Sequence, residues 1–366
     1  MKNILVSLPN DSRMGGSDEI LYQIALHYAK QGDSVYIVFI TRMRFGDWVL
    51  LYNYSNVHFI DTKSNRELKG ALPYIFHLIN LRHIVFDFVY CSNPHTIGVV
   101  GLLKRMKLLK TFCFVGREMR SQFITHPKGL PFLTRFHLFC GYPMLDILIC
   151  QTDLMKQQFV EGAPQLSKKI RIKTVQNPVN IDEMINAANE NIDTGIKEGL
   201  KYIVAAGRLI EEKGFDLLFT AFAKLYSEDK DLRLLILGEG KLRSQLEQQI
   251  IDLDMEGVIT LKGMVHNVYP YMKQAYMCVI SSRIEGFPNV LLQMMSQCDR
   301  VVSTLCAGGI EKIKGLATCL PDDEAALYKV MKQTLDKTDV SHNRILFDLE
   351  LKNRSIEIFI KKIEQE

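Results

Sequence analysis

Tyr202-Ile203-Val204-Ala205-Ala206-Gly207-Arg208-Leu209-Ile210-Glu211-Glu212-Lys213-Gly214-Phe215-Asp216-Leu217 joins a strand to a helix. The first five residues are an apolar run that stops at a glycine, and a helical pattern resumes at about Gly214 and continues to Leu225. Two cations, Arg208 and Lys213, stand in the connection. Arg208 leaves the strand end and Lys213 lies beside a helix N-terminus, where backbone N–H groups and the helix dipole favour an anion. Arginine offers a planar fork and lysine a point charge, a combination suited to a diphosphate.

The same alternation continues on either side. Downstream, Leu232–Leu237, Ile259–Leu261, Met277–Ile280 and Val301–Ser303 read as strands, with a helix at Lys241–Leu253. Upstream, Ile4–Leu8, Ser34–Ile40, Val57–Ile60, Phe86–Cys91, Thr111–Val115 and Ile147–Cys150 read as strands. Helical periodicity appears at Asp18–Gln31, Thr96–Met106 and Thr152–Glu161. Strands alternating with helices imply a parallel sheet covered on both faces. The pattern breaks between residues 176 and 200, in a stretch rich in Asn, Asp and Glu. The expected fold is therefore α/β, with two Rossmann-like doubly wound domains facing a cleft. The expected boundaries are 1–180 and 181–345, followed by a helical segment, 346–366, that packs back on the first domain. Ligands of such folds lie outside the carboxyl ends of the strands.

Composition excludes several classes. Of 366 residues, 47% are hydrophobic and 23% charged, the balance of a globular chain and not of a disordered or fibrous one. No stretch offers the ~20 clean apolar residues of a spanning helix. The first nine residues read as a strand, not a signal peptide. The eight cysteines form no CxxC pair, which fits reduced thiols in a cytoplasmic protein. Charge is uneven: residues 1–180 carry 22 Lys and Arg against 12 Asp and Glu, and the remainder 23 against 29. A basic first half points to an anionic partner. The cations are spread over a whole domain without concentrated aromatics, which argues against nucleic acid.

Three further segments carry chemistry. In Ser281-Ser282-Arg283-Ile284-Glu285-Gly286-Phe287-Pro288-Asn289-Val290-Leu291-Leu292-Gln293, Pro288 suits a first helical turn. Glu285 then precedes the helix, the amides of Asn289, Val290 and Leu291 open it, and Gln293 lies inside it. Such a row of acceptor, donors and polar side chain fits a sugar, a diphosphate and a ribose. Gly15-Gly16 follows the first strand and allows close backbone approach, although it lacks the GxGxxG spacing of a dinucleotide site. Leu305-Cys306-Ala307-Gly308-Gly309-Ile310-Glu311 is a second glycine turn after a strand.

Together these segments resemble the family-4 retaining glycosyltransferases of the GT-B fold, over nearly the whole chain and in the same order. Gly15-Gly16 is similar to the family's first glycine loop, and Asn177-Pro178-Val179-Asn180 to the segment closing its first domain. Gly207-Arg208 with Lys213-Gly214 is similar to its diphosphate signature. Gly238-Glu239-Gly240 and Gly263-Met264-Val265 resemble loops near the nucleotide. Glu285-Gly286-Phe287-Pro288-Asn289 opens its E-x7-E motif, and Gly308-Gly309-Ile310-Glu311 completes the set. The resemblance implies Arg208, Lys213 and Glu285 as catalytic residues. It implies Gly15, Gly16, Gly207, Gly238, Val265, Gly286, Phe287, Asn289, Val290, Leu291 and Gln293 as donor-binding residues. The second glutamate of E-x7-E is Gln293 here, and Cys298 and Arg300 stand where the family often has Gly and Pro. Many members carry a histidine where this chain reads Gly116-Arg117-Glu118-Met119, so Arg117, Glu118 and His95 are the acceptor-pocket candidates.

The implied reaction is sugar transfer from a nucleotide diphosphate sugar, UDP-linked by family habit, to a hydroxyl of a glycan or polyprenyl-linked acceptor. Anomeric configuration is retained, as in polysaccharide or glycolipid biosynthesis. The donor is a substrate, and no cofactor is expected. No Asp-x-Asp metal motif is read in the chain, so metal independence is expected. Lys104–Lys110 and Lys128–Phe136 mix cations with apolar residues and suit the inner face of an anionic membrane. The alternatives are a nucleotide-sugar 2-epimerase and a catalytically weak nucleotide-binding partner subunit.

Overall fold

The computed structural model describes residues 1–13, 16–118, 129, 131–197 and 199–365. The chain divides into two units, residues 1–178 with 356–366, and residues 179–355. The first contains β1 (Asn3–Leu8), α1 (Gly16–Lys30), β2 (Ser34–Phe39), β3 (Val57–Ile60), α2 (Glu67–Asn80), β4 (Val85–Cys91), α3 (Pro94–Arg105) and β5 (Lys110–Arg117). It continues with α4 (Phe132–Cys140), β6 (Ile147–Cys150), α5 (Asp153–Gly162), α6 (Pro164–Ser167) and β7 (Arg171–Thr174). The seven strands run parallel in the order β3-β2-β1-β4-β5-β6-β7.

The second unit contains α7 (Ile181–Ala187), β8 (Lys201–Ala206), α8 (Phe215–Glu228), β9 (Leu232–Leu237), α9 (Arg243–Asp252), β10 (Ile259–Gly263) and α10 (Tyr269–Gln274). Then come β11 (Met277–Ile280), α11 (Asn289–Gln297), β12 (Val301–Thr304), β13 (Ala317–Cys319), α12 (Glu324–Leu335) and α13 (Ser341–Lys352). Its parallel sheet has the order β10-β9-β8-β11-β12-β13. Both units are Rossmann-like, with helices on both faces of a parallel sheet.

Central strands are continuous apolar runs because both faces are covered. In β1, Ile4, Val6 and Leu8 enter the layer under α1, while Leu5 enters the layer under α2 and α3. In β8, Tyr202 and Val204 face one core of the second unit, and Ile203 and Ala205 the other. At roughly 1.5–3 kcal/mol for each fully buried large apolar side chain, these layers supply the main stabilisation of each unit.

The expected helical segment 346–366 is two helices. Phe347 and Leu351 of α13 belong to the core of the second unit. The chain then turns at Asn353–Ser355, and α14 (Ile356–Glu364) buries Phe359, Ile360 and Ile363 against α1 in the first unit. Tyr28 donates its hydroxyl hydrogen to Glu364 at 2.9 Å, and the Lys2 ammonium lies 2.6 Å from the same carboxylate. The second unit accordingly runs to Ser355, beyond the expected limit of 345. Strands β7 and β13 also go beyond the expected set. They are edge strands, short and half polar (Arg171-Ile172-Lys173-Thr174; Ala317-Thr318-Cys319), with little periodicity to read. Helix α2 is masked in the sequence by Pro73 inside it, a residue that ordinarily breaks helices.

Candidate functional site: the carboxyl edge of the second sheet

In the second sheet, β8 is followed through α8 by its neighbour on one side, β9, whereas β11 leads to β12 on the other. The β8/β11 boundary is thus the point where strand order reverses, and ligand crevices of doubly wound sheets open there. The loop after β8 carries Arg208 and Lys213, and the loop after β11 carries Glu285.

After β8 the chain makes a 3-10 turn, Glu211–Lys213, which ends at Gly214 in the left-handed conformation (φ 59). A side chain at Gly214 would place its Cβ 2.3 Å from the carbonyl oxygen of Ser281. Glycine there lets the two loops touch, and Ser281 Oγ donates to the carbonyl of Lys213 at 2.9 Å. The Lys213 side chain runs back over Gly207 and donates from Nζ to Glu285 Oε1. Ser282 Oγ donates to the same oxygen at 3.0 Å. Both partners of the ion pair are mostly buried, with 14% and 12% of their side chains exposed. Arg208 is exposed and makes no side-chain hydrogen bond or ion pair among the described residues.

Helix α11 begins at Asn289, with Pro288 as its N-cap instead of in its first turn as expected. Phe287 and Leu291 are buried in the core beneath, Gly286 and Val290 are half-buried, and the Leu291 N–H donates to the Pro288 carbonyl at 2.9 Å within the first turn. Gln293 Nε2 donates to the Tyr269 hydroxyl at 3.3 Å, and Val265 and Tyr269 pack against the same core. Gly238 follows β9, and its N–H donates to the Gly263 carbonyl at 2.8 Å, so the loops after β9 and β10 meet beside Gly207. The structure therefore gathers Gly207, Lys213, Gly238 and Glu285 along one sheet edge. Gly15 lies outside the described residues, and Gly16 opens α1 in the first unit.

Two Asp-x-Asp triplets are in fact present, Asp229-Lys230-Asp231 and Asp252-Leu253-Asp254. They precede β9 and β10, at the amino edge of the sheet and opposite the loops just described. Neither can serve a group held at the carboxyl edge.

Sequence inspection did not single out Arg283. Its guanidinium forms a two-pronged pair with Asp216, at 2.8 and 2.6 Å, and its Nε donates to Asp322 at 2.6 Å. The Asp216 contact holds the guanidinium above its ordinary range. Burial alone would raise the Asp216 carboxyl, but the Arg283 bonds outweigh it and hold it low. The available signal was opposite charge within the two quoted segments.

In the first unit the three acceptor-pocket candidates follow two neighbouring strands, His95 after β4 and Arg117 and Glu118 at the end of β5. Asn93 caps α3 by accepting from the His95 N–H at 2.8 Å, and His95 Nδ1 lies 3.1 Å from His137 Nδ1 on α4. Burial and the His95 charge push His137 down to about 4. Arg117 and Glu118, at the end of β5, are both buried. Arg117 Nη2 donates to Asn177 at 2.6 Å, Asn177 donates to Gln151 at 3.1 Å, and Gln151 donates to the Glu118 carbonyl at 3.3 Å. Burial lowers the Arg117 guanidinium to about 10. Its Nε and Nη1 have no hydrogen-bond partner among the described residues.

Two Rossmann-like parallel-sheet units in one chain define a fold class, GT-B. Residues 200–337 match the family described as Glycosyl transferases group 1. Over 228 residues the chain is 30% identical to an uncharacterized glycosyltransferase of Methanocaldococcus jannaschii, covering 61% of this chain and 55% of the relative. Over 243 residues it is 29% identical to the Campylobacter jejuni N-acetylgalactosamine-N,N'-diacetylbacillosaminyl-diphospho-undecaprenol 4-alpha-N-acetylgalactosaminyltransferase, covering 66% of this chain and 61% of that one. The matches thus span little more than half of these relatives. In structure the chain superposes on Anabaena Alr3699/HepE in complex with UDP and glucose with a TM-score of 0.76 and 15% identity, covering 99% of this chain and 98% of that one. The shared architecture is the GT-B fold.

Proposed function

We propose that the protein is a retaining glycosyltransferase. It moves a hexosyl or N-acetylhexosaminyl group from a UDP-sugar to a hydroxyl of a glycan or polyprenyl-linked acceptor in surface-glycan assembly. The observation that carries this is the Lys213–Glu285 pair at the β8/β11 switch point, beside the α11 N-terminus and an unpaired Arg208. Expulsion of the nucleotide is the hard step, because negative charge grows on the departing phosphate oxygens. Arg208, Lys213 and the α11 amides meet that charge, and Glu285 holds a sugar hydroxyl. The bond from the anomeric carbon to phosphate oxygen breaks and the acceptor oxygen bonds to that carbon. The acceptor proton passes to the departing phosphate on the same face. Cationic side chains and helix amides carry the charge, so no metal is invoked.

The named activity of the Campylobacter relative, on a diphospho-undecaprenol-linked glycan, and the UDP bound to the Anabaena neighbour support this assignment. By the family resemblance the acceptor falls to the first, basic unit, with His95, Arg117 and Glu118 as its candidate contacts. A thermal-shift and hydrolysis screen over UDP-, GDP- and ADP-sugars tests it. UDP-sugars are expected to raise the melting temperature, and Gln293→Glu to tighten UDP binding by ~1 kcal/mol through charge-assisted ribose contacts. Absence of any shift would refute the assignment. Epimerised donor in the absence of acceptor would identify a 2-epimerase instead, and nucleotide binding without transfer a weak partner subunit.

An anionic membrane is the proposed second partner. Helices α2, α3 and α4 share the sheet face opposite α1 and α14. Leu68, Leu72 and Phe76 of α2, and Phe132, Leu133, Phe136 and Phe139 of α4, are exposed. Helices α3 and α4 contain no Asp or Glu but carry Lys104, Arg105 and Arg135. Of the two segments expected to face a membrane, Lys104–Lys110 keeps its cations largely exposed, although Lys104 pairs with Asp146 at 2.5 Å. In the other, Lys128 and Leu130 lie outside the described residues. Apolar ridges beside exposed cations fit anionic headgroups over an acyl layer. No helix among the described residues is long and apolar enough to cross a membrane. Co-sedimentation with phosphatidylglycerol vesicles at low salt is expected, and to be lost in a Phe132→Ser, Phe136→Ser, Phe139→Ser triple variant. Equal sedimentation of both proteins would sink this placement.

A further inference from the structure

Arg283 is the cation nearest to Glu285 along the chain, two residues before it, yet it does not pair with it. Its three nitrogens are committed elsewhere. Nη1 and Nη2 engage both oxygens of Asp216 in the first turn of α8, and Nε engages Asp322 in the turn after β13. Nη1 also donates to the carbonyl of Glu211 at 2.7 Å, and the backbone N–H of Arg283 donates to the carbonyl of Glu212 at 2.7 Å. One side chain thus bonds both ends of residues 211–216, the turn that bears Lys213, from the loop that bears Glu285. Asp322 adopts the left-handed conformation (φ 58), which aspartate tolerates better than most residues.

Two consequences follow for charge at this sheet edge. First, the guanidinium has spent its fork on carboxylates, so it neither neutralises Glu285 nor competes for an anionic ligand. Second, the 211–216 turn cannot slide against the 281–285 loop without breaking a two-pronged charged contact, among the strongest and most directional available to a side chain. Lys213, a point charge on a flexible stem, is left as the one cation touching Glu285 among the described residues. It can exchange that carboxylate for a phosphate oxygen without movement of either loop.

We propose that Arg283 is a positioning residue: by clamping the loop after β11 to the turn after β8 through Asp216, Asp322 and the Glu211 carbonyl, it sets Lys213 against Glu285. This rests on the donor-site assignment for its functional meaning, but the clamp itself can be tested without a donor. A lysine at position 283 keeps the charge and loses the fork, so it should hold the geometry only in part.

The experiment is acylation of the free, full-length protein with an N-hydroxysuccinimide acetate, with the rate at Lys213 read by peptide mass spectrometry and Lys230 as an exposed reference. In the parent protein the contact with Glu285 shields the Lys213 amine. In Arg283→Gln and Asp216→Asn, the Lys213 rate is expected to rise by ~5–10-fold as the charge-assisted contact loosens, with Lys230 unchanged and Arg283→Lys in between. Should Arg283→Gln unfold, Asp322→Ala removes a single arm and is expected to show a smaller rise in the same direction. A folded Arg283→Gln or Asp322→Ala protein whose Lys213 rate equals that of the parent overturns the proposal. Protection of Lys213 by UDP is scored separately: its absence in the parent counts against the donor site, while a rate difference between variants still upholds the clamp. With an active donor, Arg283→Gln should lower kcat more than it raises KM, and Arg283→Lys should recover part of kcat. A purely structural contact would change neither ratio.

Discussion

Arg208→Ala is expected to lower kcat with a UDP-sugar by ~100-fold or more, and Lys213→Ala by a similar factor, the loss typical of removing one donor from a charge-stabilising site. The two cations stand differently before any ligand arrives. Arg208 is exposed with its guanidinium uncommitted, whereas Lys213 is held by Glu285. Removing Arg208 therefore leaves no buried group without its partner, and its loss should appear in turnover with little change in melting temperature. Removing Lys213 strands the Glu285 carboxylate beside Ser282, and an unpaired, mostly buried carboxylate is costly. Lys213→Ala should thus lower both turnover and the melting temperature. The double variant should lose less than the product of the single losses if both cations act on one diphosphate. Steady-state kinetics beside differential scanning calorimetry separates these outcomes. Near-parental turnover of Arg208→Ala would remove the basis for the assigned chemistry.

Gly238→Ala is expected to be the most damaging small substitution at the site. A Cβ at this position would sit 1.9 Å from the Gly207 carbonyl oxygen and 2.9 Å from its carbon. Both contacts are to backbone, so no side chain can swing away. The Gly207 N–H is bonded to the Leu237 carbonyl and the Gly238 N–H to Gly263, so the loops after β8, β9 and β10 would have to part together. Overpacking of this kind costs ~3 kcal/mol, which for a unit of this size lowers the melting temperature by ~8 °C. A melting temperature within a degree of the parent would mean that the three loops are not held as closely as described.

Much of the architecture was legible from local chemistry. The β8–Gly207–α8 connection announces itself because an apolar run, a glycine and a 3.6-residue pattern succeed one another within sixteen residues. Arg208, Lys213 and Glu285 were recognisable as functional candidates because they are charged residues in loops at strand ends. The less legible elements share one feature: their signal depends on what covers them. Edge strands β7 and β13 are paired on one side only, and α2 tolerates Pro73 while its Tyr74 and Leu78 are buried in the core. Helix α4 exposes Phe132 and Phe139 where an inward apolar face would be expected. The turn at 353–355 divides one charged helical pattern between two cores.

The amino-acid pattern alone determined that there are two parallel-sheet units and which loops carry charge, since both follow from the period of apolar residues and from the residues that interrupt it. Tertiary structure decided which of those charges meet. Lys213 and Glu285 are 72 positions apart and touch because β8 and β11 are neighbours in the sheet, an adjacency that no local period encodes. The commitment of Arg283 to Asp216 and the burial of Arg117 against Asn177 were decided in the same way. Periodicity tells an element which of its faces must be covered, but only the packed chain selects the covering partner, and with it the partner of every charge at the rim.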